Sequence, residues 1–161
     1  MPISPFRKLL PFAEAARNQG KIVYPLNIGQ PDVLTPPEML AAVRNADVAV
    51  LGYAPGAGTD SYRRKLETYY QRAGIPARFE DIMVTTAGSE AILFAMLSCL
   101  NPGDEVIVAE PFYGAYTAFA IAAGVSIVAV TAHIEDGFAL PPMADFEAVI
   151  TPKTRAILIC N

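Results

Sequence analysis

The chain has 161 residues, 53% of them hydrophobic and 17% charged, which suits one packed domain and excludes a disordered tail. A net charge of −4 and a pI near 4.9 argue against a nucleic-acid-binding face, which is usually basic. Cys99, Cys160 and the single histidine His133 make no disulfide framework, thiolate metal pattern or histidine-rich metal site, and this cysteine usage fits a reducing cytoplasm.

The charge is uneven along the chain. Residues 1–80 carry ten Lys/Arg against seven Asp/Glu, and residues 81–161 carry two against nine. The second half is also the more apolar, which places an interior sheet there and a more peripheral role in the first half.

Met1-Pro2-Ile3-Ser4-Pro5 lacks the charged and apolar regions of a signal peptide. Ser4-Pro5 reads as an N-cap followed by proline at the first helical position, opening a helix to about Asn18 that Gly20 closes and Pro11 would kink or split. Ile22–Ile28 reads as extended. Thr35-Pro36-Pro37-Glu38 has capping-box spacing and starts a helix to about Asn45. Leu51–Thr59, with three glycines and a proline, is a loop. Asp60–Ala73 carries Tyr62, Leu66, Tyr69 and Tyr70 at helical spacing and stops at Gly74.

From residue 80 the rhythm changes. The pattern predicts strands at Ile82–Thr85, Glu105–Ala109, Val125–Val130 and Arg155–Cys160. Between them it predicts helices at Ser89–Leu100, Tyr113–Ala123 and Pro142–Ile150, with a turn at Asn101-Pro102-Gly103-Asp104. Pro111–Ile134 holds no Asp, Glu, Lys or Arg, but Gly114 and Gly124 cut it, and a helix followed by a buried strand explains it better than a membrane span. The alternation implies an α/β fold: a three-layer α/β/α arrangement around a mostly parallel sheet covered on both faces. The chain stops at Asn161, directly after an apolar strand, so it is expected to be the front part of a longer protein.

Three places carry candidate chemistry. Ala87-Gly88-Ser89-Glu90-Ala91 joins a strand to a helix, and a small-residue turn at a helix N-terminus presents free N–H groups to an anion, phosphate above all; a tight structural turn uses the same residues. Pro111-Phe112-Tyr113 follows a strand at the same sheet edge, where an aromatic can stack on a flat ring or simply fill core. Gly29, in Asn27-Ile28-Gly29-Gln30-Pro31-Asp32, lets a ligand approach the main chain, or belongs to a plain turn. The glycine-rich stretch 52–58 lacks the Gly-Lys-Ser/Thr ending of a nucleoside-triphosphate loop, and no Gly-x-Gly-x-x-Gly follows a strand, which excludes a dinucleotide fingerprint.

In order and spacing, six segments resemble the class I/II aminotransferases of the aspartate aminotransferase superfamily, the fold-type I pyridoxal-phosphate enzymes. They are Asn27–Asp32, Gly52-Tyr53, Ala87–Ala91, Asn101–Val106, Pro111–Tyr113 and Thr151-Pro152-Lys153-Thr154-Arg155-Ala156. The resemblance implies that Ala87, Gly88 and Ser89 hold the phosphate of pyridoxal 5'-phosphate and that Tyr113 stacks on its ring. It implies that Tyr53 reaches the phosphate of the neighbouring subunit in a homodimer, and that Gly29 lies beside the substrate carboxylate. It divides the chain into an N-terminal arm and small-domain or linker segment, 1–45, and an incomplete cofactor-binding large domain, 46–161.

The family's reaction moves an amino group from an amino acid to a 2-oxo acid and needs a lysine that bonds the cofactor aldehyde. Lys8, Lys21, Lys65 and Lys153 are the only lysines, and none stands in that lysine's context. The expectation is the N-terminal portion of a cytoplasmic aminotransferase, inactive as this chain alone, with no nucleic-acid or membrane partner. Two alternatives stay open: a non-catalytic pyridoxal-phosphate-like binding module, and a related lyase or decarboxylase on the same architecture.

Overall fold

The computed structural model describes residues 5–160. The proposed Ser4 cap and Asn161 lie outside the described residues. Among the described residues, six α-helices and three strands follow in the order α1 (Pro5–Asn18), α2 (Pro37–Arg44), α3 (Asp60–Arg72), α4 (Gly88–Cys99), β1 (Glu105–Glu110), α5 (Ala115–Ala123), β2 (Ser126–Thr131), α6 (Met143–Ala148) and β3 (Thr154–Leu158). By internal packing the chain falls into two compact units, one comprising Met1–Phe12 with Thr85–Asn161 and the other Ala13–Val84.

In the first unit all strands are parallel, in the order β2-β1-β3, so β1 is central. Its run Val106-Ile107-Val108 is sealed from solvent on both faces, because neighbouring strand residues point to opposite sides. Val106 and Val108 pack with Met96 of α4 and with Tyr116, Ala120 and Ala123 of α5. Ile107 packs the other way, against Val130 and Phe146 of α6. Helices therefore cover both faces, which is the layered α/β arrangement expected. Each of these three side chains contributes about 1.5–3 kcal/mol by leaving water.

The connections have local causes. Before β1, Asp104 accepts from the Asn101 amide at 2.7 Å, while the Gly103 amide donates to the Gly124 carbonyl at 2.8 Å. After α5, Gly124 takes φ +72°, and the Gly124 and Val125 amides close back on Ile121 and Ala120. This left-handed stop suits a residue without Cβ, and a Cβ there would stand 3.1 Å from Pro102. Gly20 and Gly74 close α1 and α3 with the same bond pattern.

Several expectations are corrected. Residues 82–85 form no strand, because a strand needs a ladder and the segment's recorded backbone–backbone bonds are only those from the Ile82 amide to the Phe79 carbonyl and from the Val84 amide to the Ala57 carbonyl. Thr35 does not cap α2. Pro36 is the N-cap, at φ −50° and ψ 129°, because Pro37 forces its predecessor out of helical geometry while itself favouring the first helical position. α1 runs on through Pro11 as a single helix. α5 starts at Ala115, after a turn closed by Tyr116 N–H on the Tyr113 carbonyl at 2.9 Å. Short 3-10 turns at Phe79–Asp81 and Ile134–Asp136 had no counterpart in the sequence reading.

In the unit Ala13–Val84, α2 and α3 bury no residue fully, and Ile82 is the one buried hydrophobic among its described residues. No helix among the described residues is long and apolar enough to cross a membrane.

Candidate functional site

α4 leaves its C-terminus through residues 100–104 into the start of β1, with Ile92, Met96 and Leu100 of one helix face packed on the sheet cluster. Twelve helical residues run back roughly 18 Å, close to the roughly 20 Å of a six-residue strand. The start of α4 therefore lies at the carboxyl end of β1. In open α/β sheets this is the rim where ligands bind.

At that start the backbone is open. The Gly88 and Ser89 amides have no acceptor among the described residues, whereas Glu90 and Ala91 already donate to the Ala87 carbonyl at 3.1 and 3.2 Å. Ala87, Gly88 and Ser89 are exposed, and a Cβ placed on Gly88 would meet nothing within 4 Å. Two upstream bonds shape the turn. The Thr85 hydroxyl donates to the Ala87 carbonyl at 3.1 Å, and the Thr86 amide donates to the Glu90 carboxylate at 2.6 Å. Glu90 thus takes one donor and leaves two free amides, with the Ser89 hydroxyl beside them, at the positive end of a 12-residue helix. That donor set suits a phosphoryl group.

Tyr113 emerges three residues after β1, half-exposed. Its ring meets Tyr116 edge-to-face at 5.5 Å, and Phe112 stacks on Tyr116 at 6.1 Å. Tyr116 is buried beneath them, and its phenol is pushed above the ordinary value near 10 by hydrogen bonding with the Cys160 thiol, by burial, and by the neighbouring Cys160 and Tyr113. A cavity of about 300 Å³ opens at the carboxyl ends of the strands, lined among others by Glu110, Pro111, Ala132, Phe138, Ile159 and Cys160.

Ala87, Gly88, Ser89 and Tyr113 thus share one unit and one rim. Tyr53 and Gly29 belong to the other unit, both exposed in loops, with nothing within 4 Å of a Cβ on Gly29. Lys153 immediately precedes β3 and so stands at the amino end of the sheet, away from that rim. Sequence reasoning missed Tyr116, whose helical position reads as ordinary core. It also missed Glu90, whose spacing of four from Thr86 was the available signal.

The profile of the family described as aminotransferase class I and II matches residues 21–161. Arginine–pyruvate transaminase AruH of Pseudomonas aeruginosa is 36% identical over 149 residues, covering 91% of this chain and 38% of that protein. Glutamate-pyruvate aminotransferase AlaA of Escherichia coli is 35% identical over 155 residues, covering 92% and 38%. A mutant of Thermus thermophilus aspartate aminotransferase superposes with a TM-score of 0.87 at 33% identity, over 98% of this chain and 41% of its own. The chain therefore spans about two-fifths of the length of these relatives. With a family match over residues 21–161 and relatives more than 30% identical over nine-tenths of its length, the chain belongs to the class I and II aminotransferases.

Proposed function

We propose that this chain supplies the phosphate-holding turn and one aromatic wall of a pyridoxal-phosphate-dependent aminotransferase that moves an amino group from an amino acid to a 2-oxo acid. The observation that carries the reading is the open start of α4, with two unpaired amides and the Ser89 hydroxyl at the carboxyl rim where Tyr113 also emerges. Pyridoxal 5'-phosphate, when bound, supplies the electron sink for reaction at the amino acid's α-carbon.

Gly88 and Ser89 donate to its phosphate, and Gly88 keeps the approach clear of side chain. Tyr113 covers one face of the ring, held in place by Tyr116 beneath it. Tyr53 and Gly29 carry the roles that the family assigns to them, at the neighbouring subunit's phosphate in a homodimer and beside the substrate carboxylate. Residues 1–45 then form the arm and small-domain segment, and residues 46–161 part of the large domain. The reactive lysine is none of the four present, so the chain by itself is inactive. The cytoplasm, where cysteines such as Cys99 and Cys160 stay reduced, is the proposed compartment.

The test is a titration of the chain with pyridoxal 5'-phosphate and with pyridoxal, followed through the backbone amide resonances. The expected result is a response at Gly88 and Ser89 to the phosphorylated compound only, weakened about tenfold in Ser89→Ala, as for a hydrogen bond to a charged group. Equal response to both compounds, or none at these amides, overturns the reading. Borohydride trapping of the cofactor at one lysine would overturn the claim that the reactive lysine is absent.

A further inference from the structure

The start of α4 does without the usual side-chain cap. Its N-cap, Ala87, is extended at φ −165° and ψ 175° and makes no side-chain bond to the helix. Serine, threonine, aspartate or asparagine at that position would set an oxygen on the Ser89 or Glu90 amide. Alanine has no such oxygen, so the helix does not consume the Ser89 amide itself.

Helix ends without caps tend to fray. This one is held by other bonds, all within residues 85–91. The Ala87 carbonyl accepts from the Thr85 hydroxyl at 3.1 Å, from the Glu90 amide at 3.1 Å and from the Ala91 amide at 3.2 Å. Glu90 is the third residue of α4 and partly buried. Its carboxylate reaches back to accept from the Thr86 amide at 2.6 Å. In a capping box the third residue bonds the amide of the N-cap; here the bond falls one residue earlier. The bridge from Thr86 to Glu90 therefore spans Gly88 and Ser89, whose own amides have no acceptor among the described residues.

Glu90 also brings a negative charge to the positive end of the helix, the place an anion would occupy. Residues 85–100 contain no Lys or Arg to offset it. One side chain thus acts in two opposed ways: its oxygen shapes the turn for phosphate, and its charge repels phosphate.

We propose that Glu90 is a positioning residue for the phosphate turn, whose bond to the Thr86 amide keeps the Gly88 and Ser89 amides open to an anion while its charge limits how tightly that anion is held. The inference rests on the phosphate reading of the turn. Glu90 gives no donor to the ligand and takes no part in the chemistry. Glutamine at this position keeps an acceptor oxygen and loses the charge, whereas alanine loses both. Both residues favour a helix at least as well as glutamate, so neither loosens α4 through propensity.

The experiment uses the full 161-residue chain and inorganic phosphate, followed through the Gly88 and Ser89 amide resonances. Glu90→Gln is expected to lower the Kd for phosphate about threefold, the size of a like charge removed from a helix terminus. Glu90→Ala is expected to bind about tenfold more weakly than Glu90→Gln, because both are neutral and only alanine lacks the bond to Thr86. Hydrogen exchange at the Thr86 amide should be several-fold faster in Glu90→Ala than in the unmodified chain, and unaltered in Glu90→Gln. Because coupling is reciprocal, saturating phosphate should slow that exchange in the unmodified chain.

Equal affinity in the two variants, or a Thr86 amide indifferent to phosphate while Gly88 and Ser89 respond, overturns the positioning role and leaves the proposed function standing. Weaker binding in Glu90→Gln than in the unmodified chain overturns the opposing role of the charge. Silence at Gly88 and Ser89 in the unmodified chain overturns the phosphate reading and this inference with it. Should Glu90→Ala fail to fold, exchange at Thr86 in the unmodified chain, with and without phosphate, decides alone.

Discussion

Val106, Ile107 and Val108 are shut away from water by helices on both faces of a three-stranded sheet, whereas between Ala13 and Val84 only Ile82 is buried among the described hydrophobics. Leu26, Leu34, Leu51 and Tyr53 of that unit are almost entirely exposed. The second unit is less apolar but far from polar, so composition alone does not account for the contrast. The difference lies in what each apolar residue finds to pack against. The parallel ladder gives the first unit a surface on which α4, α5 and α6 bury their stripes. In the second unit, order around residues 79–84 comes from the Arg63 guanidinium, the Phe79 ring and the Ala57 carbonyl. Non-directional burial and directed polar bonds both hold chain in place, but only burial gives a large stabilisation per residue.

The sharpest way to break this contrast is Ile107→Ala. It should cost about 2–5 kcal/mol in urea unfolding, because it empties a site sealed by Val130 and Phe146. Leu34→Ala, at an exposed position, should move the same transition by no more than about 0.5 kcal/mol. Similar losses in the two variants would erase the distinction between the units.

Gly124→Ala comes next, at about 1–2 kcal/mol, since it puts a side chain at φ +72° and 3.1 Å from Pro102. A thermal midpoint equal to that of the unmodified chain would show that the loop relaxes freely.

The smallest effect is the titration of Tyr116. Its folded phenol is raised above the ordinary value near 10, so the folded chain keeps a proton that the unfolded chain sheds first. The stability linked to that proton is full below about pH 10 and is lost as pH climbs through the raised value. Tyr116→Phe should flatten the alkaline decline in chemical denaturation. Parallel declines in the two proteins would assign that pH dependence to other groups.

Much of the first unit was legible from residues because its signals are local and repeated. The β-branched run 105–109, the alanine-rich stretch ended by Gly124 and the turn Asn101–Asp104 each specify their geometry without distant help. Residues 82–85 misled because extended propensity says nothing about whether a pairing partner exists. Thr35 misled because capping-box spacing competes with a following pair of prolines, and backbone sterics prevailed. The turn at 87–89 was legible as a turn at a helix start, and Tyr113 as an aromatic at a sheet edge. Arg63 carried no signal, since a carbonyl nineteen residues away leaves no pattern in a sequence.

The position of β1 between its neighbours has a consequence for how the sheet assembles. Glu105 pairs with Ser126 on one side and Thr154 on the other, so the middle of the sheet is synthesised before either flank. A nascent chain leaving the ribosome meets its first ladder only after α5 has emerged, and its second only after α6. Each addition closes a longer loop than the one before, at a small extra entropic cost. The β1–β2 ladder is therefore available to the growing chain before β3 has been synthesised.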